Sequence, residues 1–336
     1  MEVVDRGEGP LLAWHDPDEQ RKWIRQNKSR KMTDKRMDIK TSVSRFVSDG
    51  DYLAMGGFGH VRVSMAGVYE VIRQKKRKLT LAAKTAVHDG DILVASGCVE
   101  QVDGAYFCGH ELRGLSPASR RMVESGRVKV VTENSNGGFQ WRLKAAAMGL
   151  PFIPTRSMLG TDTFRRSSSV AVKDPFSGKR IDLLPACYPD VAMIHVHRCD
   201  KYGNSQIDGI SMMDIDLARA AKRLIITTEQ LIDNETIRNE SASTVIPFYC
   251  VDAVVEIPYG SHPGNMPFLY YSDEEHIAEW LRVSKTEEGT SDYFDRYVFG
   301  VKDFGEYLEL VGGQEKMKKL ADVEFLRAPT LAPWAA

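Results

Sequence analysis

The stretch Asp49-Gly50-Asp51-Tyr52-Leu53-Ala54-Met55-Gly56-Gly57-Phe58-Gly59-His60-Val61-Arg62 decides how this chain is read. An apolar run of strand type ends in paired glycines, and a helical pattern follows. Glycine serves where the main chain turns tightly or approaches a ligand closely, and a helix start adds amide donors that have no partner within the helix. The stretch therefore reads as a strand-turn-helix junction whose bare N–H groups face something electron-rich. That partner is a phosphate, a carboxylate, or an oxyanion formed only during a reaction.

Working outward, strands and helices alternate. Ser64 stands before an apolar helical face of Met65, Val68 and Ile72, and Leu79-Thr80-Leu81 reads as the next strand. Ser116-Pro117 opens and Gly126 closes a helix, Val128 to Thr132 is a β-branched strand, and Phe139 to Met148 is a helix ended by Gly149. Further strands are expected at Val191 to Val196, Leu224 to Thr228 and Val251 to Ile257, with Asp214 or Asp216 capping a helix between the first two. Such alternation predicts an α/β fold with an open, mostly parallel sheet covered by helices on both faces, where ligands sit beyond the carboxyl ends of the strands. Before Ile39, Asp16-Pro17-Asp18-Glu19 signals a helix start, and the basic run Lys28 to Arg36 reads as a solvated face or linker because no aromatic residues interleave it. From Ser272 the pattern is helical and rich in aromatics. The expected organisation is an N-terminal helical extension over 1–38, an α/β domain over 39–271, and a C-terminal helical arm over 272–336 that packs on the core or on another subunit.

Composition narrows the function. With 336 residues, 43% of them hydrophobic, the chain has material for a large core, and 45 basic against 46 acidic residues recommend neither nucleic acid nor an anionic membrane as partner. No apolar run approaches the roughly 20 residues that cross a bilayer, so a cytoplasmic location is the expectation. Five scattered cysteines form no C-x-x-C pair. His195 and His197 share a strand face without an evident third ligand, and no metal is expected. A dinucleotide site fails at the third glycine position, which is Arg62, and no acid closes the strand at Leu81-Ala82-Ala83-Lys84 to take a ribose hydroxyl.

The run Asp49-Gly50 through Gly56-Gly57-Phe58 resembles the signature of class I coenzyme A transferases. With Arg62 and Ser64 standing where a glycine and a proline are usual, it is most similar to the A (alpha) subunit of glutaconate CoA-transferase and to related ring-opening hydrolases. Collinear resemblances occur at Ala145 to Pro154, at Val251-Asp252-Ala253-Val254-Val255 with Pro258 to Pro263, and at Tyr297 to Leu308. The resemblance implies the CoA-transferase fold, which is shared with the NagB-RpiA-like sheets. It also implies ping-pong CoA transfer between an acyl-CoA and a carboxylic or dicarboxylic acid through a glutamyl-CoA thioester, with coenzyme A as co-substrate and no permanently bound cofactor. The nucleophilic glutamate is then expected on a partner beta subunit, in an α2β2 or larger hetero-oligomer. A hydrolase or decarboxylase of CoA thioesters on the same fold, and a non-catalytic ligand-binding protein, are the alternatives.

Under this resemblance, Gly56, Gly57, Phe58, Gly59 and His60 form the oxyanion and CoA-binding loop. Arg62 either pairs with a substrate carboxylate or closes the turn on its own carbonyls. Glu111, in Tyr106-Phe107-Cys108-Gly109-His110-Glu111, is the reserve catalytic acid. Asn136 stands where an amide suits a transferase, because an amide orients a substrate or a water and cannot act as the base. Glu133 and His262 are expected to meet the substrate, and Glu229 to rim the same cleft.

Overall fold

The computed structural model describes residues 2–110 and 113–327. Its centre is a nine-stranded sheet. Seven strands run parallel, in the order Ala253–Glu256, Arg223–Leu231, Val191–Cys199, Tyr52–Met55, Leu79–Ala86, Val99–Phe107 and Lys129–Glu133. Two short antiparallel strands, Ser205–Gln206 and Thr244–Ile246, extend it beside the carboxyl end of Val191–Cys199. This is the open, mostly parallel sheet that the alternating pattern implied.

Burial explains the alternation along each strand. All four residues of Tyr52–Met55 are buried. Leu53, Met55, Leu81, Ala83 and Met193 belong to one core, with the helices Met65–Arg73 and His88–Ala95. Ala54, Ala82, Ala192 and Ile194 belong to the other, with Asn136–Met148 and Asp214–Ala220. Successive side chains point to opposite faces, so both faces of a doubly covered sheet must be apolar. The chain lays down Tyr52–Met55 first, grows the sheet to one side as far as Lys129–Glu133, and then returns to grow it from the other side of that first strand. The reversal falls between Tyr52–Met55 and Val191–Cys199, where an α/β sheet opens a crevice at its carboxyl edge.

The C-terminal helices pack on the parent domain. Trp280, Tyr293, Tyr297, Phe304 and Tyr307 share one core with Val68 and Ile72. Polar contacts fix their register: Tyr69 and Tyr293 hydroxyls meet at 3.1 Å, and the Trp280 indole donates to Asp91 at 2.5 Å.

The N-terminal residues form more than a helix. Pro17–Asn27 is capped by Asp16 as expected, and Val3–Arg6 joins Val170–Lys173, Arg180–Pro185 and Phe152–Thr155 in a second, antiparallel sheet. The basic run is not a solvated face throughout. Lys28 and Lys35 are buried and donate to the carbonyls of Cys250 and Phe248, both at 2.6 Å. Residues 35–37 add themselves to the edge strand, since Val254 N–H donates to Lys35 O and Met37 N–H to Val254 O. No described helix is long and apolar enough to cross a membrane.

Candidate active site

The glycine turn follows the carboxyl end of a strand, as the sequence implied, and lies at the sheet reversal, but its amides are committed inside the chain. Gly56 N–H donates to Met193 O at 2.8 Å and Gly57 N–H to Asp214 Oδ1 at 2.8 Å. Phe58 N–H donates to Val61 O at 3.0 Å and Gly59 N–H to Thr85 O at 2.9 Å. The expectation of bare donors at Gly56, Gly57, Phe58 and Gly59 is therefore corrected. In this turn, His60 N–H alone finds no acceptor among the described residues. The glycines answer to space and backbone angle instead. A Cβ on Gly56 would stand 2.8 Å from Asp214 Oδ1 and 2.9 Å from Ile194 Cγ1, while Gly57 has φ +79° and its Cβ would fall 2.2 Å from Val61 O.

Arg62 resolves in favour of closing the turn. It is fully buried with φ +55°, and its Nη1 donates to Asp214 Oδ2 at 2.5 Å and its Nη2 to Ile210 O at 2.9 Å. A side chain with no exposed surface does not meet a substrate, so the carboxylate-binding expectation for Arg62 is withdrawn. Asp214 caps no helix with its carboxylate; one oxygen takes Gly57 and the other Arg62. The second segment of the clamp is Asn265, which accepts Arg62 N–H and donates to His60 O.

His60 is buried beside two more imidazoles. Ring centroids lie 5.5 Å from His110 and 6.2 Å from His88, and those two are 5.9 Å apart. Burial first, then the neighbouring His110 and Arg113, push the His60 pKa down to about 3. Its Nε2 lies 3.4 Å from the guanidinium of Arg113, which also pairs with Glu274. His110 Nε2 meets Asp91 Oδ2 at 3.0 Å. Among the described residues no group of three His, Cys, Asp or Glu has the geometry to hold a metal ion.

The remaining expected residues scatter. Asn136 is exposed at the first turn of Asn136–Met148, and its Oδ1 accepts from the Thr85 hydroxyl at 2.8 Å, which ties it to the strand end beside the glycine turn. Glu133 faces a separate open cleft of about 860 Å³ walled by Tyr106, Phe107, Leu115 and Val130, where its carboxylate pairs with Arg166 at 2.7 Å. His262 is corrected from substrate contact to core. It is fully buried, with Nδ1 2.7 Å from the Tyr307 hydroxyl and Nε2 3.1 Å from Asp273 Oδ2. Glu229 is likewise internal, held by His195 at 2.7 Å and Tyr270 at 2.6 Å. Glu111 lies outside the described residues.

One group at this end carried no signal in the sequence. Lys84, two residues before the end of Leu79–Ala86, is 7% exposed and holds its Nζ 4.8 Å from the centroid of the Phe58 ring. Burial lowers its pKa. A single cation in an apolar strand reads as an ordinary surface end until the fold shows what surrounds it.

The comparisons with known proteins bear on what this arrangement belongs to. The family model described as Coenzyme A transferase matches residues 36–257. The chain is 61% identical over 334 residues, 99% of its length and 75% of the relative's, to an uncharacterized protein of Archaeoglobus fulgidus. It is 33% identical to the A (alpha) chain of glutaconate CoA-transferase from Acidaminococcus fermentans, over 82% of this chain and 91% of that one. The corresponding chain of 3-oxoadipate CoA-transferase from Pseudomonas knackmussii is 31% identical over 81% of this chain and 96% of its own. The crystal structure of the Acidaminococcus fermentans enzyme superposes with a TM-score of 0.81 at 31% identity, over 85% of this chain and 95% of that chain. With most of its length matched in both sequence and structure, the chain belongs to the coenzyme A transferase family.

Proposed function

We propose that this chain is the alpha subunit of a CoA-transferase that moves CoA from an acyl-CoA to a carboxylic acid, and that its obligate partner is a beta subunit. The observation that carries the reading is the likeness to glutaconate CoA-transferase, at a TM-score of 0.81 over 85% of the chain. The turn Gly56 to Arg62 holds no carboxylate of its own, which agrees with a nucleophile donated by another polypeptide.

In this reading a partner glutamate attacks the acyl-CoA thioester, forming an anhydride and releasing CoA thiolate. The thiolate attacks the glutamyl carbonyl of that anhydride, giving a glutamyl-CoA thioester and freeing the first acid. An incoming carboxylate then reverses both steps and leaves as acyl-CoA. Each attack places negative charge on a carbonyl oxygen. In this reading His60 N–H, which finds no acceptor among the described residues, donates to that charge, and losing one donor of this kind typically slows a reaction by a factor on the order of 10²–10³. CoA is a co-substrate rather than a resident group, and an α2β2 assembly satisfies the need for one partner per chain.

The test is co-purification of both subunits, incubation with acyl-CoA, and trapping with borohydride or hydroxylamine. A modified glutamate on the partner and an inactive isolated chain are the expected results. Thioester turnover by this chain alone would overturn the reading.

A further inference from the structure

We propose that Lys84 binds a substrate carboxylate and so makes the site selective for acids that carry a second carboxylate besides the one that takes CoA. The proposal rests on the transferase reading for its substrate class, and on the surroundings of one ammonium group for its residue.

Lys84 is 7% exposed, yet its Nζ makes no hydrogen bond or ion pair among the described residues. Its one contact of note is the Phe58 ring at 4.8 Å, on the glycine turn itself. The opposite charge that acts on it is Asp214, whose two carboxylate oxygens are already taken by Gly57 N–H and by Arg62. The ammonium keeps some contact with solvent, so an incoming anion can reach it, while the largely buried stem and the ring face hold it in place. A chain that matches the four amides of Gly56 to Gly59 but leaves this ammonium open has kept it for an anion that arrives from outside.

The position suits a substrate. Lys84 sits at the carboxyl end of Leu79–Ala86, one strand from the sheet reversal. The next residue, Thr85, accepts Gly59 N–H with its carbonyl and donates its hydroxyl to the exposed Asn136. Lys84 therefore shares a rim with the turn where the thioester is handled and with the open start of a thirteen-residue helix. Arg62, the other cation of this turn, is fully buried and occupied by Asp214, so the role of carboxylate partner passes to Lys84. Glutaconate and 3-oxoadipate, the acids in the names of two relatives, are both dicarboxylic.

The experiment uses the co-purified two-subunit enzyme with wild-type chain, Lys84→Met and Lys84→Arg. Acetyl-CoA is the donor, and glutarate and valerate, which have equal carbon number and two carboxylates against one, are the acceptors. Calorimetric binding of each acid accompanies the kinetics. The wild-type complex is expected to prefer glutarate over valerate, and Lys84→Met to cut that preference in kcat/KM about tenfold or more, mainly through KM. Lys84→Arg should recover part of it.

Equal loss for both acids, or no wild-type preference for glutarate, would overturn the proposal. A rise confined to the KM of acetyl-CoA would do the same, by assigning the ammonium to a phosphate. If no acid accepts CoA, the transferase reading falls, and the binding of glutarate to wild-type and Lys84→Met complexes still decides the role of Lys84.

Discussion

Two adjoining strand ends at the centre of this sheet treat their polar groups in opposite ways. The end of Tyr52–Met55 runs into a turn whose glycine and phenylalanine donors are matched internally, by Met193, Asp214, Val61 and Thr85, and whose cation is paired with a buried carboxylate. The end of Leu79–Ala86 carries a less deeply buried cation with an aromatic ring for company and no anion among the described residues. The first region is built to hold a shape and the second to receive something. Their proximity means that the stiff turn fixes Phe58, and Phe58 in turn fixes the face over which Lys84 waits.

The largest disturbance of that contrast comes from Asp214→Ala. It leaves a fully buried guanidinium unpaired and Gly57 N–H without an acceptor, and should lower unfolding free energy by about 3–5 kcal/mol in urea titrations. The double variant Arg62→Met with Asp214→Leu removes both charges together and should recover much of the loss. A double variant as unstable as the single one would mean that the turn depends on the ion pair itself.

Gly57→Ala probes the same rigidity through the main chain. The positive φ and the approach of Val61 O predict a loss of about 2–3 kcal/mol, read from the same titrations. The smallest effect has the opposite sign. Lys84→Met replaces a partly desolvated ammonium on a largely buried stem by an apolar chain of similar length and should raise stability by at most about 1 kcal/mol. A loss of stability there would show that Lys84 holds the fold together, and the contrast between the two strand ends would disappear.

The sequence located the turn correctly and misread its chemistry. Glycines after an apolar strand mark where the chain bends, and that inference needs only local residues. Whether an amide stays free depends on acceptors such as Asp214 and Met193, which lie more than 130 residues away in the chain and reach the turn only through the return of the sheet. His262 misled because a histidine in a glycine- and proline-rich loop looks exposed until Tyr307 and Asp273 close over it, and Glu229 because nothing local in its strand announces His195 and Tyr270, which hold it. Lys84 had no local sign at all, because a missing counter-ion is a property of the surroundings. Six of the seven parallel strands were legible from the alternation, whereas Val99–Phe107 was given no bounds and the helix His88–Ala95 and the two short antiparallel strands went unread. The small antiparallel sheet was not legible, because its strands are short and Val3–Arg6 is wholly exposed.

The seal that residues 35–37 place on the edge strand has a practical side. The match to the family model starts at residue 36, so a chain trimmed to those bounds would lose Lys35 O, the acceptor of Val254 N–H, together with the Lys28 and Lys35 plugs. The freed edge of Ala253–Glu256 would then be left as a template for strand-to-strand self-association between molecules. The N-terminal segment thus guards solubility as well as shape, and shortened versions of this polypeptide are better begun before Lys28.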